Sequence, residues 1–77
     1  MRSGTKEFER ARGVIGSRIH ELRKAKGLSQ EQLADLAGCD RTYVGMLERQ
    51  QGNPSLSMLA AIASALDATM DDLLAGA

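Results

Sequence analysis

Cysteine occurs once among the 77 residues, which excludes a disulfide within the chain. Histidine also occurs once, and a metal site cannot be built from Cys39 and His20 alone at their separation. No nucleophile is paired with a base and no glycine-rich phosphate loop is present, so neither catalysis nor a cofactor is expected. Tryptophan is absent, phenylalanine and tyrosine occur once each, and no run alternates β-branched or aromatic residues with polar ones; strands are not expected. No apolar run approaches the roughly 20 residues that span a bilayer. The leading MRSGTKEFER lacks the apolar core of a secretory signal, so a cytoplasmic protein without a membrane partner is expected. Net charge is missing too, ten basic residues balancing ten acidic ones, which at first sight argues against a nucleic-acid partner.

The distribution of that charge says otherwise. Residues 1–27 hold eight Lys or Arg against three acids, residues 28–54 two against four, and residues 55–77 three acids and no base. A basic leading segment can meet phosphates while an acidic tail faces away, so the local field matters more than the total. The chain is long enough for one small domain and too short for a second core. It shows no internal repeat and no low-complexity tract.

Apolar periodicity and capping residues divide it into five helices. Residues 1–6 are polar and lack an apolar period, and are expected to form a disordered extension. Phe8, Ala11, Ile15, Ile19, Leu22 and Ala25 form one stripe, predicting a helix from Glu7 to Lys26, weakened near Gly13 and Gly16 and closed by Gly27. Ser29 with Gln32 makes a capping box for a second helix carrying Leu33, Ala34 and Ala37, and Gly38 stops it. Asp40 can cap a third helix, with Val44 and Leu47 on the core side and Thr42, Gly45, Met46 and Arg49 opposite. Pro54 pushes Asn53 away from helical angles, and Ser55 caps a fourth helix carrying Leu56, Leu59, Ile62, Ala63 and Leu66. Thr69 with Asp72 repeats the capping pattern before Met70, Leu73 and Leu74. The expected domain runs over 7–75, with 76–77 as a tail.

Gln30, Leu33, Ala34, Gly38, a small apolar Cys39, Val44 and Glu48 together resemble the helix-turn-helix of the phage repressor and Cro family, also called XRE, here over about 29–49. The likeness extends from about Ile15 to Leu74. It implies an all-α, compact five-helix, lambda-repressor-like DNA-binding domain, acting as a transcriptional regulator whose third helix, about 41–49, enters the major groove. The RTY run at 41–43 is similar to that of restriction-modification controller proteins in this family. A phage-type repressor, an antitoxin and a chromosomal regulator are the other regulator types left open.

The resemblance assigns base contacts to Arg41, Thr42 and Met46. An arginine can give two hydrogen bonds to guanine O6 and N7, threonine offers a hydroxyl and a methyl, and Met46 an apolar contact to a thymine methyl. Backbone or shape contacts fall to Ser29, Gln30, Tyr43, Arg49, Asn53 and Arg18. Arg23 and Glu48 match a pair that ties the first helix to the end of the third. In place of the glycine that often follows the third helix stands Gln50, with Gly52 two residues later. Gly45, costly by about 1 kcal/mol within a helix, implies either close approach to DNA or a packing need. Cys39 is read as a small hydrophobe in the turn, and His20 as a solvated residue.

Regulators of this fold bind two half-sites as a symmetric dimer, so a double-stranded operator, a second copy of the chain and contact with the transcription machinery are the expected partners. Met58, Ala65, Met70, Leu73 and Leu74 are the expected dimer surface. The competing reading is a protein-interaction module that keeps the fold and uses the same helix on a protein partner.

Overall fold

Capping and periodicity place five helices in the computed structural model, which describes residues 2–75, with side chains from Gly4 onward. They are α1 (Arg2–Ala25), α2 (Gln30–Ala37), α3 (Arg41–Glu48), α4 (Leu56–Ala65) and α5 (Met70–Leu74). Among the described residues there is no strand.

The local signals act as their chemistry requires. Ser29 Oγ accepts from the Gln32 amide at 3.0 Å while Gln32 Oε1 accepts from the Ser29 amide at 2.8 Å. Gly38 closes α2 in the left-handed conformation at φ 76°. Ser55 Oγ accepts from the Met58 amide, and Thr69 and Asp72 form a second reciprocal box. Asp40 is the exception. It stands at the cap position of α3 with extended backbone, but its side chain accepts no cap hydrogen bond. The position is exposed, so solvent can take the free amides instead.

α1 starts five residues ahead of the expected Glu7. Residues 4–10 are all exposed, so packing does not explain the extension. Once a helix is nucleated, each added residue gains a bond, and arginine, lysine and glutamate lose little freedom in it. The segment expected to be a disordered extension is thus helical from Arg2; Met1 and the expected tail at 76–77 lie outside the described residues. Nor does α1 break at its glycines. A Cβ on Gly16 would run into the Leu47 carbonyl oxygen, so this glycine permits the end of α3 to lie directly on α1.

Ile15 and Ile19 from α1, Leu33 and Ala34 from α2, Val44 and Leu47 from α3, Leu59, Ile62 and Ala63 from α4, with Leu66 and Leu73, form the buried core. α2 packs on α3 and α4, whereas α1 lies along α3 and α5. The ends of the expected α1 stripe fall outside it: Ala25 is exposed and Phe8 remains 39% exposed. Twenty-four helical residues span about 36 Å, close to the 37 Å long axis of the molecule, so the front of α1 projects past the other elements. There the Arg12 guanidinium lies 5.1 Å from the centre of the Phe8 ring. Arg18, expected at a phosphate, is held by partners within the chain. Its Nε donates to the Asp72 carbonyl at 3.1 Å and its Nη1 to Glu21 at 3.0 Å, so it joins α1 to α5.

Candidate nucleic-acid interface

Two helices across a left-handed glycine make a rigid corner only if the second is held at a fixed angle. Glu48, the last residue of α3, supplies the anchor. Its carboxylate accepts from Arg23 Nε at 2.6 Å and from Arg23 Nη2 at 2.9 Å, a bidentate pair whose two side chains are almost fully buried. Arg23 Nη1 donates to the Leu28 carbonyl at 2.8 Å, fixing the guanidinium from behind. Gln30 Nε2, from the start of α2, donates to Glu48 Oε1 at 3.1 Å, and His20 Nδ1 lies 3.0 Å from the same oxygen. Burial alone would push this carboxyl up; hydrogen bonds from Arg23, His20 and Gln30 outweigh it and hold Glu48 at about 2.

His20 is exposed, as expected of a solvated residue, and its ring also reaches the Glu48 carboxylate. It lies three residues before Arg23 on α1, on the same face, and that spacing was the available signal. Gln30, expected at a phosphate, is half-buried and already holds Glu48. Gly45 is buried between Gln30 and Arg49: a Cβ would lie 3.4 Å from Gln30 Oε1 and 3.2 Å from Arg49 Nη1. Both neighbours are ends of flexible side chains, Gln30 from α2 and Arg49 from the end of α3.

The opposite end of α3 is open. Arg41 and Thr42 are exposed in its first turn, and neither makes a hydrogen bond or ion pair with a described residue. An unpaired cation is disfavoured at a helix N-terminus, where the backbone dipole is positive. Ser29, Arg49 and Asn53 are exposed, while Tyr43 is half-buried with its ring against the core. Met46, expected to touch a thymine methyl, also has a neighbour within the chain. It is half-buried, and its thioether and methyl occupy the space beside Gly52, where a Cβ would meet Met46 Cε at 2.7 Å. The absent side chain of Gly52 leaves a notch for it.

Cys39 packs against the core, and burial followed by the negative charge of Asp40 pushes its thiol up. No group of three or more His, Cys, Asp or Glu among the described residues is placed to hold a metal. No described helix is long and apolar enough to cross a membrane.

Residues the sequence reading missed lie behind α3. Gln50 adopts φ 63° and bonds Ser17, while Arg12 Nη1 donates to the Gly52 carbonyl at 3.1 Å. The signal for the first was the absence of glycine at position 50.

The sequence matches the family described as helix-turn-helix over residues 19–73. Control protein C.SmaI of Serratia marcescens is 39% identical over 61 residues, covering 79% of this chain and 73% of C.SmaI. The crystal structure of the restriction-modification controller protein C.AhdI from Aeromonas hydrophila has a TM-score of 0.78 at 52% identity, covering 80% of this chain and 94% of that one. The regulator SinR of Bacillus subtilis is 40% identical over 62 residues, and this chain spans 56% of its length. A crystal structure of SinR in complex with DNA has a TM-score of 0.73 at 41% identity, covering 78% of this chain and 97% of that one.

Two helices joined at a left-handed glycine, the first capped by Ser29 and the second anchored at its end and open at its start, define a DNA-binding helix-turn-helix domain. Such domains belong to transcription factors, not to enzymes. The chain belongs to the XRE/Cro family of helix-turn-helix transcriptional regulators and is closely related to the restriction-modification controller proteins.

Proposed function

We propose that this regulator binds an inverted-repeat operator as a homodimer, with α3 in the major groove and Arg41 and Thr42 reading base edges. The observation that carries the reading is the contrast between the two ends of α3. Glu48 is locked to α1 and α2, whereas Arg41 stands exposed at the other end without a partner among the described residues. A guanine edge supplies the acceptors that Arg41 lacks. Ser29 and the first amides of α2 take a phosphate, and Gln30, Tyr43, Arg49 and Asn53 contribute backbone contacts that set position without reading sequence.

The dimer surface in this reading is the outer side of α4 and α5, with Met58, Ala65, Met70 and Leu74. Leu56, 76% exposed at the start of α4, lies about half a turn round the helix from Met58 and Ala65 and is not part of that surface. Leu73 does not belong there, since it is buried in the monomer core. The likeness to C.SmaI and C.AhdI supports control of restriction-modification genes as the setting.

Selection from a random duplex pool tests the reading. The expected product is an inverted repeat with half-sites about one helical turn apart. Folded protein that enriches no motif would overturn it in favour of a protein partner.

A further inference from the structure

Behind α3, the loop 50–53 is held from α1 by two side-chain contacts that lie outside the 19–73 family match on the α1 side. Gln50 takes a left-handed backbone that favours glycine, and its amide donates to the Leu47 carbonyl at 2.9 Å to close α3. As a turn residue alone, glycine would serve better. The glutamine side chain instead fills the notch left by Gly13 and Gly16: a Cβ on Gly13 would lie 3.2 Å from Gln50 Oε1, and one on Gly16 3.2 Å from Gln50 Cγ. Gln50 Nε2 then donates to Ser17 Oγ at 3.3 Å. One turn earlier on α1, Arg12 Nη1 donates to the Gly52 carbonyl at 3.1 Å, while Met46 packs beside Gly52 from α3. Residues 50 and 52 are therefore each tied to α1, and Gln51 and Asn53, which alternate with them and are exposed, carry amide donors.

We infer that Arg12 and Gln50 are positioning residues for DNA binding, holding the loop 50–53 so that Gln51 and Asn53 meet the phosphate backbone beside the groove that α3 enters. The inference rests on the operator-binding reading above. A hydrogen bond from a neutral amide to phosphate carries no sequence information and neutralises no charge, so its loss lowers affinity on all duplexes and leaves the salt slope nearly unchanged. A purely structural role for the same side chains would lower affinity only together with stability.

The test uses the full chain and the operator that it selects. Gln50→Gly keeps the left-handed turn and removes only the side chain, and Arg12→Ala removes the bond to Gly52. The expected result for Gln50→Gly is a thermal midpoint equal to or above that of the unaltered chain. Affinity should fall about three- to tenfold on operator and random duplex alike at that unlowered midpoint, with the slope of log K against log salt nearly unchanged. Arg12→Ala should lose affinity in the same way, and Arg12→Lys should restore part of it. Unchanged affinity and slope in both variants, while the unaltered chain binds its operator, would overturn the inference and leave the operator-binding reading standing. So would a loss of affinity that in both variants only follows a lowered midpoint. A chain that selects no operator overturns the operator-binding reading itself, and this inference with it.

Discussion

Arg23 and Glu48 meet across the contact of α1 with α3 through two parallel hydrogen bonds, Nε to Oε2 at 2.6 Å and Nη2 to Oε1 at 2.9 Å. Both side chains are buried, so desolvation offsets much of their attraction, and the clearest consequence of the pair is the angle it imposes on α3. Removing one partner is another matter. Glu48→Ala leaves the Arg23 guanidinium buried and without its carboxylate, and should lower unfolding stability by about 3 kcal/mol or more.

The same pair sets an acid dependence. Glu48 sits at about 2, against 4.5 for the free group, because the hydrogen bonds from Arg23, His20 and Gln30 outweigh the opposing effect of burial. A carboxyl depressed in the folded state contributes stability that is present above its unfolded value and lost as the pH falls toward its folded one. The window here is therefore from about 4.5 down to about 2. The urea midpoint of the native chain should fall through this window more steeply than that of Glu48→Gln. Parallel curves would show that the carboxyl is not depressed.

Two glycines in α1 should respond oppositely to alanine. At Gly4 a Cβ meets nothing within 4 Å, so Gly4→Ala should stabilise the helix by roughly 0.5 kcal/mol. At Gly16 it meets the Leu47 carbonyl, a backbone group that cannot swing aside. Gly16→Ala should cost about 1 to 3 kcal/mol, as overpacking does. It should also weaken operator binding by displacing α3. Thermal denaturation and operator titration of the two variants check this, and a stabilised Gly16→Ala would contradict the close contact.

The elements that were legible in the sequence are those set by neighbours along the chain. Ser29 with Gln32, Gly38, Ser55, and Thr69 with Asp72 all act within three or four residues, so spacing alone exposes them. Asp40 shows the limit, since a residue suited to a cap need not make the bond when solvent is at hand. The Arg23–Glu48 pair spans 25 positions and was visible only through the family resemblance. Where a side chain had two outlets, the choice depended on how helices cross. Arg18 meets α5 as well as Glu21, exposed His20 also meets Glu48 across 28 positions, and Met46 fills the space beside Gly52 in the next loop. Periodicity gives the face of a helix but not what lies opposite.

Arg41 and Gln30 separate reading from bracing. Arg41 has no partner among the described residues, so Arg41→Ala should leave stability within about 0.5 kcal/mol. On the operator it should cost about 1 to 3 kcal/mol and relax selectivity at one base pair. Gln30 braces Glu48 as well as facing the start of α2, so Gln30→Ala should weaken all duplexes alike and lower stability slightly. Competition titrations with single-base operator variants distinguish the two patterns. Equal losses on specific and random DNA for both variants would remove Arg41 from the reading role.

Leu73 and Leu74 are adjacent on α5 and face opposite fates. Leu73 is 1% exposed within the core, whereas Leu74 is 39% exposed beside the outer side of α4. Leu73→Ala should cost about 2 to 5 kcal/mol by opening a cavity, whether or not the chain pairs. Leu74→Ala opens none, and its cost should appear in self-association, as a dimer constant weakened about tenfold for a residue central to the contact. Because dimerisation stabilises the folded state by mass action, unfolding must be followed at several protein concentrations, with sedimentation equilibrium on the same samples. A Leu74→Ala chain that associates like the native one, together with a similar result for Met58→Ala, would place the dimer contact away from α4 and α5.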